Sequence, residues 1–141
     1  MIEIINRRRR RKMNATQWRE FGEKALRAIG KTQQDATIVF VSDEAIKKLN
    51  RQFRGKDYAT DVLSFPTEAE PFEIENRSHL GEVVISIQRA AAQAKRDGLS
   101  FSNEVAQLIL HGLLHLCGYD HEADNGRMNR LELRLRKKLG I

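Results

Sequence analysis

The hydrophobic positions of the chain follow two different periods, which predict strands in some segments and helices in others. Short apolar runs rich in β-branched residues predict four strands. Segments with apolar residues at every third or fourth position lie among them and predict about five helices. This order favours an α+β fold in which a small four-stranded mixed sheet packs against the helices. The predicted strands are Ile2–Asn6, Asp35–Val41, Val62–Phe65 and Glu82–Ser86.

Residue types that favour helix ends mark the limits of the predicted helices. Gly30 and Gly98 follow the last apolar position of two helices and should end them. The helix that should reach about Cys117 is apolar nearly all round, which predicts a central buried helix. Residues 67–80 form a predicted polar loop that contains Pro71. The expected N-terminal caps are Asn14, Ser42, Ser102 and Asp124.

Length and composition favour one domain over residues 1–141, large enough for a hydrophobic core. The single cysteine, Cys117, excludes a framework of internal disulfides and is compatible with a reducing cytoplasm. No apolar run approaches the roughly 20 residues that span a bilayer, and the first residues lack the layout of a signal peptide. We therefore expect a cytoplasmic protein with no membrane partner. The sequence leaves the oligomeric state open.

The net charge of +6 and the isoelectric point of about 9.8 favour a polyanionic partner, with RNA or the ribosome as the first candidates. Arg7–Lys12 is an unbroken basic run, and the last predicted helix is also rich in arginine and lysine. A solvated connection is the simpler interpretation of Arg7–Lys12, and contact with RNA is the alternative.

Three of the four histidines lie in one short segment, at His111, His115 and His121. His111 and His115 are four residues apart, so a helix places both rings on one face. Gly118 can end that helix and let the chain turn, which would bring His121 back toward the other two. Three imidazoles in this arrangement are suited to a zinc ion with an open fourth position for water. Two chance histidines on one helix are the alternative.

The spacing of these histidines and of Gly118 matches that of the metzincin metalloproteases, with one important departure. Those enzymes carry glutamate after the first histidine as a general base, whereas this chain has Gly112. The sequence therefore indicates a metal-activated hydrolase that is not an ordinary protease. Cys117 should face away from the ligands as a small apolar residue. Asp120 or Glu104 could orient a histidine ring, although a charge near the helix N-terminus is the favoured interpretation of Glu104.

Three blocks of the sequence resemble one known family. His111–His121 is similar to the signature of the YbeY-type bacterial endoribonucleases, which are rRNA maturation factors. Arg54–Asp57 followed by Thr60–Pro66 resembles the second motif of that family. Leu80–Ser86 resembles the third, in which the family usually has aspartate rather than Glu82. The order and spacing agree over roughly residues 35–125, and Gly112 is the family's own residue.

The resemblance implies a single-strand-specific, metal-dependent endoribonuclease that acts in maturation of the small-subunit rRNA 3′ end and in ribosome quality control. It implies one zinc ion on His111, His115 and His121, and a functional arginine at Arg54. Imidazole ligands also suit other divalent metals such as nickel, copper and iron. Single-stranded RNA, rRNA, and the ribosome or its small subunit are the implied partners.

A mechanism for RNA cleavage can be written as a hypothesis. The metal would polarise a phosphoryl oxygen or lower the pKa of a water, which would remove the need for a carboxylate at position 112. Arg54 would bind the scissile phosphate, and Lys56 would add a positive charge for substrate binding. A solvent-facing turn is the alternative account of Arg54. Asp61 and Ser64 could line the cleft that binds the substrate. A turn cap for Asp61 and an ordinary strand position for Ser64 are equally good accounts.

Two other functions stay open at this point. The chain could be an atypical metallohydrolase that acts on peptides. It could also be a ribosome-associated assembly protein whose metal is structural. The sequence names neither the nucleophile nor the general base.

Overall fold

The structure is a computed structural model that describes residues 1–8, 10–68, 78–120 and 124–141. It contains the four strands and five helices that the sequence predicts, which confirms the α+β fold. The strands are β1 (Ile2–Asn6), β2 (Asp35–Val41), β3 (Val62–Pro66) and β4 (His79–Ser86). The helices are α1 (Ala15–Ile29), α2 (Asp43–Arg54), α3 (Ile87–Asp97), α4 (Phe101–Leu116) and α5 (Arg127–Leu139).

The sheet has the strand order β1-β2-β4-β3 and is mixed, as predicted. The β1–β2 and β2–β4 pairs are parallel, while β3 runs antiparallel to β4. Because β3 is the last strand in this order, one of its edges pairs with no other strand of the sheet in the described part of the chain.

The two faces of the sheet are covered by different helices. Val83 and Ile85 of β4 join the main core, whereas Val84 between them joins a smaller cluster with Ile46 of α2 and Leu63 of β3. This division follows from the alternation of side chains along a strand. Helix α4 contacts β3, β4, α1, α3 and α5, which confirms that it is the central buried helix. Among the described residues, no helix is long and apolar enough to cross a membrane.

Two of the four predicted caps are correct and two are wrong. Asn14 and Ser42 accept hydrogen bonds from backbone N–H groups in the first turns of α1 and α2. Helix α4 is capped by Ser100, whose Oγ accepts from Asn103 N at 3.0 Å, so Ser102 lies inside the first turn. The earlier start places Phe101 inside the first turn, where it packs against the main core.

Asp124 was expected to cap α5, but the helix begins three residues later. Asn125 and Gly126 both have left-handed backbone conformations, with φ of 56° and 81°, which separates Asp124 from the helix. The Asp124 carboxylate still accepts a hydrogen bond from Met128 N at 2.9 Å. It therefore satisfies one of the unpaired N–H groups of the first turn from outside the helix.

Strand β4 begins at His79, earlier than the predicted Glu82, and Gly81 lies within it rather than before it. Gly81 has φ of 137°, and a Cβ there would lie 2.2 Å from the carbonyl oxygen of Phe65. The close approach of β3 therefore requires glycine at this position. Most of the predicted polar loop, including Pro71, lies outside the described residues.

Candidate active site

A cleft of about 490 Å³ opens at the free edge of β3, between the end of α2 and the second half of α4. Most of the residues singled out in the sequence meet there, although they come from three separate segments. Its walls include Arg54, Lys56, Tyr58, Asp61, His111 and His115.

His111 and His115 converge on a common point, as the helical spacing predicts. Their Nε2 atoms are 3.2 Å apart, and their ring planes are inclined at 76°. Two nitrogens bound tetrahedrally at 2.0–2.1 Å from a zinc ion are about 3.3 Å apart. The pair is therefore spaced as two ligands of one metal ion.

The other ring nitrogen of His111 faces a buried carboxylate. Nδ1 lies 2.5 Å from Oε1 of Glu132, a residue of α5 that is 6% exposed. Burial raises the pKa of Glu132, but the hydrogen bond from His111 and the charges of His111 and Arg136 outweigh it, so the pKa is lowered. An ionised carboxylate can only accept, so Nδ1 of His111 donates to it, and in the neutral ring the lone pair is then on Nε2. This is the tautomer that a metal ligand at Nε2 requires.

Glu132 was missed at the sequence level, although the chain carries a signal for it. It lies on the apolar face of α5, among Met128, Leu131 and Leu135. An acidic residue in an apolar stripe is rarely buried without a partner. Here the partners are His111 and Arg136, whose Nη2 donates to Glu132 Oε2 at 3.2 Å.

Glu132, and neither of the two carboxylates proposed from sequence, lies at Nδ1 of His111. Asp120 lines the cleft, and its role in orienting another ring stays a prediction. Glu104 lies near Asp61 and Gln93 instead, so the preference against a role in ring orientation is supported. Cys117 packs against the main core, as expected.

The third proposed ligand, His121, lies outside the described residues. Within residues 1–8, 10–68, 78–120 and 124–141, no group of three or more potential metal-ligating side chains is found. Tyr119 and Asp120 line the cleft, and His121 follows them directly in the sequence. Its part in metal binding stays a prediction.

Glu104 is a buried carboxylate and not merely a helix-terminal charge. With its amide nitrogen turned toward the carboxylates, Gln93 donates to Glu104 Oε1 at 2.9 Å and to Asp61 Oδ2 at 3.2 Å. Burial raises the pKa of Glu104, and the negative charges of Asp61 and Asp97 raise it further. The fold therefore favours the protonated form of Glu104 more than an exposed position would.

Gly112 has a packing role that the sequence does not reveal. A Cβ at this position would lie 2.4 Å from Cγ1 of Val83, because α4 crosses β4 at this point. The carbonyl oxygen of Gly112 also accepts a buried hydrogen bond from Ser64 Oγ at 3.1 Å. A glutamate here would enter the helix–sheet interface, so the absence of the protease base is explained by close packing.

Arg54 ends α2 and projects from the turn that Gly55 begins in a left-handed conformation. Its Nη2 donates to the carbonyl oxygen of Ser64 at 3.3 Å, which fixes the guanidinium beside β3. In the described part of the chain, no carboxylate forms an ion pair with Arg54 or Lys56. Their charges are therefore available to an anionic substrate.

Asp61 and Ser64 have both of the roles considered for them. Asp61 Oδ1 accepts from Val62 N at 2.8 Å, which is a turn cap, and its side chain also lines the cleft. Ser64 is a buried strand residue that joins β3 to α4 and also lines the cleft.

The basic run after β1 is largely exposed and is partly ordered by its neighbours. Asn6 accepts from Arg8 N and donates to the carbonyl oxygen of Arg11. The Arg11 guanidinium lies 3.8 Å from the centre of the Phe101 ring. Arg9 lies outside the described residues, and contact of this run with RNA stays a prediction.

Comparison with known proteins places this arrangement in a family. A family model described as endoribonuclease YbeY matches residues 3–140. The chain belongs to this family. It is 51% identical to endoribonuclease YbeY of Nautilia profundicola over 110 residues, which cover 78% of this chain and 76% of the relative. It is 43% identical to the Solibacter usitatus protein of the same name, over 93% of this chain and 86% of the relative.

A solved structure agrees with the fold of this endoribonuclease YbeY family member. The solution structure of TM1509 from Thermotoga maritima superposes with a TM-score of 0.67 at 28% identity. The match covers 99% of this chain and 89% of that one.

Proposed function

We propose that this chain is a metal-dependent endoribonuclease that cleaves single-stranded rRNA during maturation of the small-subunit rRNA 3′ end. We further propose that it acts in ribosome quality control in the cytoplasm, with the ribosome or its small subunit as its partner. Membership of the endoribonuclease YbeY family supports RNA as the substrate. The observation that carries the metal requirement is the convergence of two Nε2 atoms beside Arg54, with His111 oriented by a buried carboxylate.

His111, His115 and His121 would hold one divalent ion, with zinc as the first candidate. The ion would supply Lewis-acid polarisation of a phosphoryl oxygen and would make a nearby water more acidic. Glu132 keeps the His111 ring in the ligand tautomer through its hydrogen bond to Nδ1. The carbonyl oxygen of Ser64 holds the Arg54 side chain beside β3. From there the guanidinium would bind the scissile phosphate and stabilise the negative charge that develops on it during cleavage.

The cationic turn of the cleft favours RNA over a peptide substrate, although Asp61 and Asp120 also line the cleft. Arg54 and Lys56 project from one turn and would both contact the backbone of a nucleic acid strand. The position that carries the general base in a metalloprotease is Gly112 here, and its close contact with Val83 leaves no room for a glutamate. Cleavage of peptides but not of RNA by metal-loaded protein would instead support the atypical metallohydrolase.

The test is cleavage of a single-stranded RNA by purified, metal-loaded protein, with and without a chelator. We expect cleavage that the chelator and His115→Ala each abolish. Arg54→Ala should keep the metal and reduce the cleavage rate by about 10²–10³-fold, as expected for loss of a group that stabilises developing charge. Arg51→Ala is the matched control, since Arg51 is an exposed residue of the same helix that is not among the cleft-lining residues.

Three results would contradict parts of this proposal. Loss of metal in Arg54→Ala would contradict the phosphate-binding role of Arg54. Cleavage that persists in the chelator would contradict the metal requirement. If His115→Ala unfolds the protein or leaves its cellular role intact, the metal is structural and the assembly-protein hypothesis gains support. The products identify the nucleophile, because a 2′,3′-cyclic phosphate indicates attack by the ribose 2′-hydroxyl.

A further inference from the structure

One side chain of the cleft is exposed in a way that the catalytic proposal does not use. Among the described residues, four large hydrophobic side chains are exposed: Met1, Phe53, Tyr58 and Leu133. Of these, Tyr58 is the one that lines the cleft, and it is 54% exposed. An aromatic ring that is left in water beside a binding site is available to a ligand.

The backbone beneath this ring is held by a buried residue. Asn50 of α2 is 2% exposed, and its Nδ2 donates to the carbonyl oxygen of Tyr58 at 2.9 Å. The carbonyl oxygen of Asn50 also accepts from Lys56 N at 3.3 Å, just after the turn at Gly55. The segment that carries Tyr58 is thus attached to α2 at two points. Its ring is exposed, but its attachment to the fold is fixed.

A second exposed aromatic residue shows the contrast. Phe53 packs edge-on against Phe65 of β3, with ring centres 5.3 Å apart. In the described part of the chain, Tyr58 has no such aromatic partner. Packing therefore accounts for Phe53 and leaves Tyr58 unexplained by the fold.

The neighbours of Tyr58 indicate the chemistry of the ligand. Arg54 and Lys56 come from the same turn and line the same cleft. Cations that contact phosphates, interleaved with an aromatic ring that can stack on a base, are the combination by which proteins bind single-stranded nucleic acids. A base within a duplex has both faces covered by its neighbours, whereas an unpaired base can leave the stack and lie on a side chain.

We propose that Tyr58 is a stacking surface for an unpaired RNA base whose flanking phosphates contact Arg54 and Lys56. This contact selects single-stranded over duplex RNA at the cleft. The inference rests on the proposed function, because it requires an RNA strand in the cleft. It adds a specificity-determining residue that takes no part in metal binding.

The first experiment measures binding of a short fluorescent single-stranded RNA to metal-free protein, in which the proposed function predicts no cleavage. Tyr58→Ala should weaken binding about 5- to 100-fold, the range found for loss of one base–aromatic stack. Tyr58→Phe should bind within about twofold of the wild type, because the flat ring is kept. Tyr58→Leu keeps an apolar side chain without an aromatic face and should lose most of the affinity. Leu133→Ala is the control for an exposed hydrophobic residue on α5 that does not line the cleft.

The second experiment replaces single nucleotides of the RNA by abasic sites. At one position the abasic site should weaken binding to the wild type and have no further effect on Tyr58→Ala. Binding of a blunt duplex should be the same in both proteins. The inference is overturned if Tyr58→Ala binds single-stranded RNA as well as the wild type does, or if Tyr58→Phe loses as much affinity as Tyr58→Ala. Failure of the wild type to bind single-stranded RNA would also overturn it.

These results separate the inference from the proposed function. If metal-loaded protein cleaves RNA while Tyr58→Ala changes neither binding nor KM, the stacking role fails and the nuclease stands. If Tyr58→Ala weakens binding but no form of the protein cleaves RNA, the stacking role stands and the cleavage proposal fails. When both hold, Tyr58→Ala raises KM and leaves kcat largely unchanged.

Discussion

Two buried glutamates that contact or belong to the central helix differ in the direction in which the fold shifts their pKa. Glu104, in the first turn of α4, is 7% exposed, and Glu132, which meets α4 at His111, is 6% exposed. Burial alone raises the pKa of both. The pKa of Glu104 stays raised, whereas that of Glu132 is lowered.

The partners account for this difference. Glu132 accepts hydrogen bonds from His111 and Arg136, which are both nitrogen donors. Glu104 instead faces the carboxylate of Asp61 and shares the amide of Gln93 with it. Similar burial thus accompanies a carboxylate whose pKa is lowered at one site and a carboxyl whose pKa is raised at the other. The carboxylate with the lowered pKa is the one beside the proposed metal ligands.

The largest effect should come from the carboxylate with the lowered pKa. Glu132→Gln keeps the shape of the side chain but removes the charge that orients His111. We expect metal affinity to fall about 10- to 100-fold, as is common when the partner of a ligating histidine is changed. Competition with a chromophoric chelator measures this directly. Glu104→Gln is the matched control and should bind metal as the wild type does; equal affinities in all three proteins would contradict the role of Glu132.

The same substitution should also destabilise the metal-free fold. Glu132→Gln weakens the charge-assisted hydrogen bonds to His111 and Arg136, so we expect a loss of about 2 kcal/mol in the free energy of unfolding. Urea denaturation of the chelator-treated protein measures it. An unchanged denaturation midpoint would mean that the buried charge offers no net stabilisation.

A smaller effect should follow from the arginine that shares this carboxylate. Arg136→Met keeps most of the side chain's apolar contacts and removes the hydrogen bond to Glu132 Oε2. Because Arg136 is partly exposed, we expect a loss of about 1 kcal/mol. Arg134→Met, at an exposed position of α5, is the control and should unfold at the same denaturant concentration as the wild type.

The smallest expected effect is a gain, rather than a loss, in the free energy of unfolding. A carboxyl whose pKa is raised by folding is stabilising in its protonated form, and that stability is lost as the pH rises above its ordinary value of 4.5. Glu104→Gln should therefore raise the free energy of unfolding near neutral pH by about 0.5–1 kcal/mol. The gain should shrink as the pH falls toward 4.5 and be absent below it, where the carboxyl is protonated in both the folded and the unfolded chain. Thermal unfolding measured across this range is the test, and a gain that does not depend on pH would contradict the account of Glu104.

Much of this molecule could be predicted from short segments of sequence. The limits of β1 and β2 and the helix limits at Asn14, Gly30 and Ser42 depend on neighbouring residues, and the structure confirms them. The start of β4 was predicted three residues too late.

Two predicted caps were wrong. Ser102 lies two residues after Ser100, which is an equally good capping residue, and Asp124 is followed by two residues with left-handed backbone. Residue preference alone predicted neither the choice of Ser100 over Ser102 nor the left-handed backbone at Asn125 and Gly126.

The histidine pair and the glycine beside it show the same division within the site. Helical geometry places His111 and His115 on one face, so the spacing alone predicted that their rings are neighbours. The reason for Gly112 is Val83, which comes from a strand far away in the sequence. The sequence raised a chemical explanation for this glycine, whereas the structure also supplies a steric one.

By itself, the sequence determined the α+β class, the helix that carries two converging imidazoles and the family to which the chain belongs. These features repeat over a few residues or follow from one stretch of backbone, so local geometry specifies them. The tertiary structure decided that Glu132 orients His111, that Gly112 lies against β4 and that Tyr58 opens onto the cleft beside Arg54. Each of these depends on contacts between segments that are distant in the sequence. The packing of helices and strands brings those segments together, and no local sequence pattern encodes this packing.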